Sequence, residues 1–284
     1  MTRSNNPLTR RFSVNPPALT IVGPRINSSR KIIAQAIQEK NEALIQHEAR
    51  IQHEAGAAYI DVNAGAFLEQ EVEYLPWLVR TVQAAVDAPL WLDSADAEAV
   101  EAALEVHRGK AVINSITFEK QRMDAMVPLA VKHSCGIVGL TIDSIRVPTE
   151  AEKKCEIAAH MVEALTAAGI KKEDIFVDPV VMPVGVAPEA GKETLAAIPL
   201  IRAAIPGIHI VCGAGNVSFQ LPNRALLEAT YLAMAMAAGM DVAFLDPCNT
   251  SIMASIIAAE ALLGKDEFCI RYISAYREGK LGKK

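Results

Sequence analysis

EAEKKCEIAAHMVEALTAAGIKKEDIFVDP, residues 150–179, contains the unit from which the rest of the chain is built. Ile157, Ala158, Met161, Val162 and Leu165 recur at the three-to-four-residue spacing of a helix, and Gly169 stands where a helix would stop. DIFVD (174–178) then reads as a short strand that ends on a carboxylate. The stretch is therefore a helix leading into a strand with a polar tip.

Working outward, the same alternation runs from Leu19 to the end. Strand-like runs fall at LTIV (19–22), AYIDVN (58–63), PLWLD (89–93), AVINS (111–115), GIVGLT (136–141), DIFVD (174–178), IHIVC (208–212) and DVAFL (241–245). Helical stretches lie between them, among them KIIAQAIQEKNEALIQHEARIQHEAG (31–56), DAEAVEAALEVH (96–107) and NRALLEATYLAMAMAAG (223–239). Gly56 and Gly239 stop helices as Gly169 does.

Eight βα units, with no G-x-G-x-x-G after the first strand, predict an α/β protein that closes as a single-domain (β/α)₈ TIM barrel. The expected boundaries are an N-terminal arm at 1–17, the barrel at 18–275 and a basic C-terminal tail at 276–284 that contains REGKLGKK. Half the residues are apolar and few are aromatic, so the core is expected to be Ala, Val, Ile and Leu, as in other α/β packings.

Charge excludes little beyond nucleic acid. There are 28 basic and 33 acidic side chains, a balance of −5, and no basic block suited to a phosphate backbone. The five cysteines show no CxxC spacing and make an odd count, which fits buried thiols in a reducing compartment better than disulfides or a zinc site. The polar first 17 residues lack the apolar core of a secretory signal, and no segment reaches the ~18 apolar residues of a membrane span. The expectation is a cytoplasmic protein without a membrane partner.

The strand ends carry the chemistry. Asp61 and Asn63, Asp93, Asn114, Asp178 and Asn216 all fall at or just past the C-terminal ends of strand runs, where barrels of this kind place their ligand sites. In-strand alternation puts Asp61 and Asn63 on the face of Tyr59, Asp93 on that of Trp91, Asn114 on that of Val112 and Asp178 on that of Phe176. For any one of these, a turn or helix cap is the competing role, and for Asp93, followed by Ser94 and Asp96, cap and ligand contact weigh equally. Repetition at one end of the barrel is what favours a pocket.

No strand end offers a strong nucleophile. A Schiff-base lysine is disfavoured because Lys110 precedes its strand and Lys171 and Lys172 lie in a helix-to-strand turn. The histidines His47, His53, His107, His133 and His160 lie in or beside helices, and His209 is near the start of its strand, so a metal site is not expected. GAGN (213–216) reads as a tight turn that brings backbone close to a ligand. What remains is a set of carboxylates that accept from paired N–H groups and amides that donate and accept at once, which matches a 2-amino-4-oxo heterocycle.

The runs VGPRIN (22–27), YIDVNAG (59–65), LWLDSAD (90–96), VINS (112–115), GLTID (139–143), VDPVVMP (177–183), GAGNVS (213–218) and LAMAMAAGMDVA (232–243) resemble the pterin-binding methyltransferases over about residues 19–275. That superfamily includes dihydropteroate synthase and the folate module of cobalamin-dependent methionine synthase; the resemblance is strongest to methyltetrahydrofolate:corrinoid protein methyltransferases. It implies a homodimeric TIM barrel that exchanges a methyl group between N5 of tetrahydrofolate and the cobalt of a separate corrinoid protein, with no metal of its own. Position by position, it implies that Asp93, Asn114 and Asp178 contact the pterin ring, that Asp61 and Asn63 belong to the same pterin-binding set from the polar end of the second strand, and that Asn216 binds the pterin near N5 as the catalytic amide.

Two positions depart from the pattern. Pro24 stands where relatives often have glutamate, and Phe219 stands where a relative can have glutamine, with Gln220 one place later. The alternative functions are a dihydropteroate synthase, which calls for a basic residue for pyrophosphate and a lysine near the sixth or seventh strand, and a non-catalytic folate-binding protein.

Overall fold

The computed structural model describes residues 19–143 and 147–282; the expected N-terminal arm and the last two residues of the basic tail lie outside them. The elements run β1 (Thr20–Asn27), α1 (Lys31–Gln38), α2 (Glu42–Glu54), β2 (Tyr59–Asn63), α3 (Glu71–Gln83), β3 (Leu90–Asp93), α4 (Ala97–Val106), β4 (Val112–Ile116) and α5 (Lys120–His133). They continue with β5 (Gly136–Leu140), α6 (Ala151–Ala167), β6 (Ile175–Asp178), α7 (Ala190–Ala204), β7 (His209–Gly213), α8 (Arg224–Ala238), β8 (Val242–Phe244), α9 (Thr250–Leu262) and α10 (Ile270–Arg277).

Every expected strand forms. The eight are parallel, each pairs with its neighbour in the chain, and β8 pairs with β1 to close the barrel. β1 runs further than its LTIV core because Pro24 and Arg25 continue it through an irregularity: the register against β2 shifts between Gly23 and Ile26. A proline lacks the N–H that an uninterrupted ladder needs at this point.

The helical stretch at 31–56 breaks in two. Lys40 turns left-handed (φ 50°), and the Asn41 side chain accepts the Leu44 N–H at 3.2 Å, capping α2 afresh. The expected glycine stops hold, with φ of 105°, 100° and 116° at Gly56, Gly169 and Gly239. Of the thiols expected to be buried, Cys135 and Cys212 are, Cys155 and Cys248 are half-buried, and Cys269 is exposed in the turn before α10; all five are free.

Strand alternation divides two cores. Inward residues Val22, Trp91, Val112, Val138, Phe176, Val211 and Val242 fill the barrel, with Trp91 edge-on to Phe176 at 5.0 Å and to Phe244 at 4.9 Å. Outward residues such as Ile60, Leu92, Ile113, Ile137 and Ile210 pack beneath the helices. The lumen is thus plugged by aromatic and branched side chains, and polar inward residues are left to the two ends.

At the base, the N-terminal end of the strands, Asp241 accepts from Arg202 Nη2 at 2.8 Å and from the Ile210 N–H at 2.7 Å, and pairs with His209 Nδ1 at 2.8 Å. Lys110 pairs with Asp174 nearby. Beneath β1, Glu260 accepts the Leu19 N–H at 3.1 Å and pairs with Arg271 of α10. No helix among the described residues is long and apolar enough to cross a membrane.

Candidate functional site

The opposite end of the barrel gathers the polar tips. β2 and β3 place Asn63 beside Asp93, and β3 and β4 place Asp93 beside Asn114, in direct register. Asn63 Nδ2 donates to Asp93 Oδ2 at 3.0 Å and to the Asp93 carbonyl at 3.1 Å. Its Oδ1 accepts from Ser28 Oγ at 2.7 Å and from the Gly65 N–H at 3.2 Å. Asn63 is fully occupied within the protein and acts as a brace for Asp93.

Asp61 lies one pleat lower and is 2 % exposed. Asn114 Nδ2 donates to its Oδ1 at 3.3 Å, which leaves the Asn114 carbonyl oxygen available as an acceptor. The cap ambiguity at Asp93 resolves here: Asp96 caps α4, accepting the N–H groups of Glu98 at 2.9 Å and Ala99 at 3.5 Å. Asp93 is free of that duty.

Asp178 stands across the mouth at the tip of β6. Its Oδ1 accepts the Val180 N–H at 2.7 Å, closing a tight turn in which Val180 is left-handed (φ 47°). Beneath that turn, Lys154 of α6 donates from Nζ to the carbonyls of Pro179 at 2.5 Å and Val180 at 2.7 Å. This is the lysine that reaches the sixth strand, and it arrives from a helix, which strand-end reading could not register. Its ammonium is spent on buried carbonyls, so it does not answer the call for a pyrophosphate-binding cation.

Asn216 is placed differently again. It ends a 3₁₀ turn, Ala214–Asn216, after β7, is exposed, and its side chain has no hydrogen-bond partner among the described residues. Its Nδ2 lies 3.5 Å from where a Cβ on Gly213 would sit, an ordinary contact distance that places the amide beside the end of β7. Arg224 secures the loop through the Gly215 carbonyl at 2.7 Å and Ser218 Oγ at 3.0 Å, and Ser218 donates to Glu228 at 2.6 Å. Phe219 is exposed and Gln220 is left-handed.

The electrostatics of the mouth run one way. Burial pushes the Asp93 carboxyl up to about 6 despite the hydrogen bond from Asn63. Burial likewise pushes Asp178 to about 6, opposed by the Val180 N–H and Lys154. Burial and the neighbouring Asp93 hold Asp61 well above the usual carboxylate range, with Asn114 opposing. Among the described residues these carboxylates have no salt-bridge partner, and they can accept hydrogen bonds from a ligand that brings its own N–H groups.

Two further residues were not legible as strand tips. Glu71, at the start of α3, is 5 % exposed with Oε1 unpartnered, and burial raises its carboxyl. It lines a cavity of about 440 Å³ with Asn63, Gly65, Asp93, Ser94 and Asp96. Arg25, beside the departure at Pro24, forks between Glu48 at 2.7 Å and Asp246 at 2.8 Å, tying the tips of β1 and β8 to α2. The acidic groups at that corner come from Glu48 and Asp246.

A family profile described as pterin binding enzyme matches residues 25–246. The chain is 37 % identical over 266 residues to a methylcorrinoid:tetrahydrofolate methyltransferase of Eubacterium limosum, covering 93 % of this chain and 98 % of that one. It is 26 % identical over 240 residues to a methionine synthase of Mycobacterium leprae, covering 80 % of this chain and 20 % of that much longer protein. Among solved structures, a dihydropteroate synthase of Yersinia pestis carrying a pterine-sulfa conjugate aligns with TM-score 0.66 at 16 % identity, covering 87 % of this chain and 95 % of that one. A dihydropteroate synthase of Xanthomonas albilineans in complex with 7,8-dihydropteroate aligns with TM-score 0.65 at 15 % identity, covering 87 % and 94 %.

Proposed function

The chain belongs to the pterin-binding enzyme family, and from that premise we propose that its mouth holds the pterin of tetrahydrofolate while a methyl group passes between N5 and a corrinoid carried by another protein. The enzyme is a methyltransferase of the tetrahydrofolate and corrinoid class, and its place is in one-carbon metabolism. The observation that carries the residue-level reading is the ring of inward acceptors, Asp93, Asn114 and Asp178, each braced from within and, among the described residues, none in a direct salt bridge. Such acceptors suit the 2-amino and ring N–H groups of a pterin.

The chemistry sets a further need. A methyl on N5 leaves poorly unless the nitrogen gains positive character from a proton or a hydrogen bond. Asn216, exposed and unpartnered over Gly213, is suited to turn its amide toward N5 and stabilise the N–H in the transition state without acting as a base. The corrinoid supplies the cobalt that gives or takes the methyl. The barrel's own part is to position the ring, exclude water and polarise N5.

Asn63, level with Asp93, and Asp61, one pleat lower, hold Asp93 and Asn114 in place. We take 18–275 as the working barrel, the cytoplasm as its compartment, and a homodimer as its state. The last rests on the exposed apolar side chains Leu226 and Met234 of α8, Leu262 of α9, and Phe268 and Ile270 at the start of α10, which a partner subunit would cover.

Mixing the protein with methyltetrahydrofolate and cob(I)alamin should generate methylcobalamin absorbance, and methylcobalamin with tetrahydrofolate should lose it. No turnover in either direction, with free cobalamin or with any corrinoid protein, would sink the reading. A tight methyltetrahydrofolate titration without transfer would point to a folate-binding protein.

A further inference from the structure

Lys154 is 2 % exposed and ranks among the largest fully buried side chains. It lies in the first turn of α6, and its stem passes beneath the tip of β6 to the carbonyls of Pro179 and Val180. Those residues directly follow Asp178, and the Val180 N–H returns to Asp178 Oδ1. Lys154 therefore grips the carbonyl side of a turn whose amide side grips the carboxylate. Thr194 of α7 adds a weaker hold on the Val180 carbonyl at 3.4 Å.

The turn needs an anchor, because Val180 sits in the left-handed region that a β-branched residue avoids. A neutral donor could satisfy two carbonyls. An ammonium is costly to bury, so its presence calls for an opposite charge nearby. Among the described residues, the ionisable groups that face it are Asp178 from β6, Cys212 from β7 and Glu193 from α7, while Tyr231 of α8 reaches Cys212, Oη to Sγ, at 3.8 Å. Burial raises both Cys212 and Tyr231, which leaves them neutral near pH 7. Asp178 is then the charge in this cluster that belongs to the pocket.

We propose that Lys154 is a positioning residue for methyl transfer, whose buried ammonium keeps Asp178 an ionised and correctly aimed acceptor for the pterin. The assignment rests on the reading of Asp178 as a ring contact. Burial lowers Lys154 to about 8, with Asp178 opposing, and raises Asp178 to about 6, with Lys154 among the opposing causes. Between those limits both groups are charged. Without Lys154, the Asp178 carboxyl should climb further and be protonated at neutral pH.

The test is Lys154→Met, which keeps the stem and removes the charge, beside Lys154→Arg, which keeps the charge. In the ligand-free protein, carbon NMR of labelled aspartate should show Asp178 titrating at least one pH unit higher in Lys154→Met. KM for methyltetrahydrofolate at pH 7 should rise tenfold or more, kcat at saturation should change less than threefold, and the acid limb of kcat/KM should move to higher pH. Lys154→Arg should restore most of the KM. A folded Lys154→Met protein whose Asp178 midpoint is unmoved overturns the proposal, even if KM rises, because the role is then structural alone.

If Lys154→Met does not fold, nitrogen NMR of labelled lysine in the wild type reads the same coupling. The Lys154 Nζ signal should shift as Asp178 titrates, and that shift should vanish in Asp178→Asn; its absence from the wild type overturns the proposal. Neither titration needs turnover. An inactive wild type would thus count against the methyltransferase reading and leave the Lys154–Asp178 coupling to be judged separately.

Discussion

The two ends of this barrel use the same residue type in opposite ways. At the base, burial pushes Asp241 up, but His209, the Ile210 N–H and the Arg202 charge outweigh it and hold the carboxyl below its ordinary value. At the mouth, Asp61, Asp93 and Asp178 are braced by amides and N–H groups, and burial wins. A carboxylate held low stabilises the fold at neutral pH, whereas one held high costs stability there. The base is built for stability, and the mouth keeps an electrostatic demand open for something that is not yet bound.

The sharpest way to break this contrast is to remove a mouth carboxylate. Asp178→Asn should weaken methyltetrahydrofolate binding roughly a hundredfold or more, the scale of two charge-assisted hydrogen bonds. Removing the raised carboxyl, about two pKa units above its ordinary value, relieves a cost of about 1–3 kcal/mol, while leaving the Lys154 ammonium without its facing charge opposes it, so the unfolding free energy at neutral pH should stay within about 1 kcal/mol of the parent's. Isothermal titration and chemical denaturation read the two effects. A variant that loses both binding and stability would place Asp178 with Asp241 and erase the difference between the ends.

Asn216→Ala tests the exposed member of the mouth, which neither holds the fold nor is held by it. It should lower kcat by about a hundredfold, the cost of removing one transition-state donor, with little change in melting temperature. Single-turnover methyl transfer separates this from binding; a raised KM with unchanged kcat would make Asn216 a ring contact only. At the base, Asp241→Asn should do the reverse, costing about 2 kcal/mol of stability while leaving KM and kcat within about twofold.

How legible these ends were in the sequence follows from which forces act locally. Strand alternation and glycine stops are local, so the eight strands and the inward set from Asp61 to Asp178 could be read directly. The break at Asn41 was missed because the apolar spacing of 31–56 continues through it, and only the cap distinguishes the two helices. Asp96 and Asp93 could not be separated in advance, since both are caps by composition and only the start of α4 decides between them. Lys154, Glu71 and Arg25 stayed hidden for a different reason: each reaches the mouth from a helix or across strands, Lys154 and Arg25 through pairings 25 and 23 residues apart, and no local pattern encodes that.

The smallest predicted effect is also the one that both ends register together. Asp93 and Asp178 titrate near 6 when folded, against an ordinary value of 3.8, so the folded state takes up protons between about pH 6 and 4 that the unfolded chain does not. Their contribution to stability therefore rises as pH falls from 7 toward 5. Asp241, held below 3.8, contributes stability that is present above that value and is lost only in stronger acid. Ligand binding must go the other way: protonated Asp93 and Asp178 no longer offer charged acceptors, so methyltetrahydrofolate affinity should fall below pH 6 by about tenfold per pH unit for each of the two that the ligand needs ionised. Melting temperature and dissociation constant measured from pH 8 to 5 should consequently diverge, the protein holding or gaining stability while it loses its ligand. If the two decline together over that range, acid is loosening the barrel as a whole and the mouth carries no separate electrostatic cost.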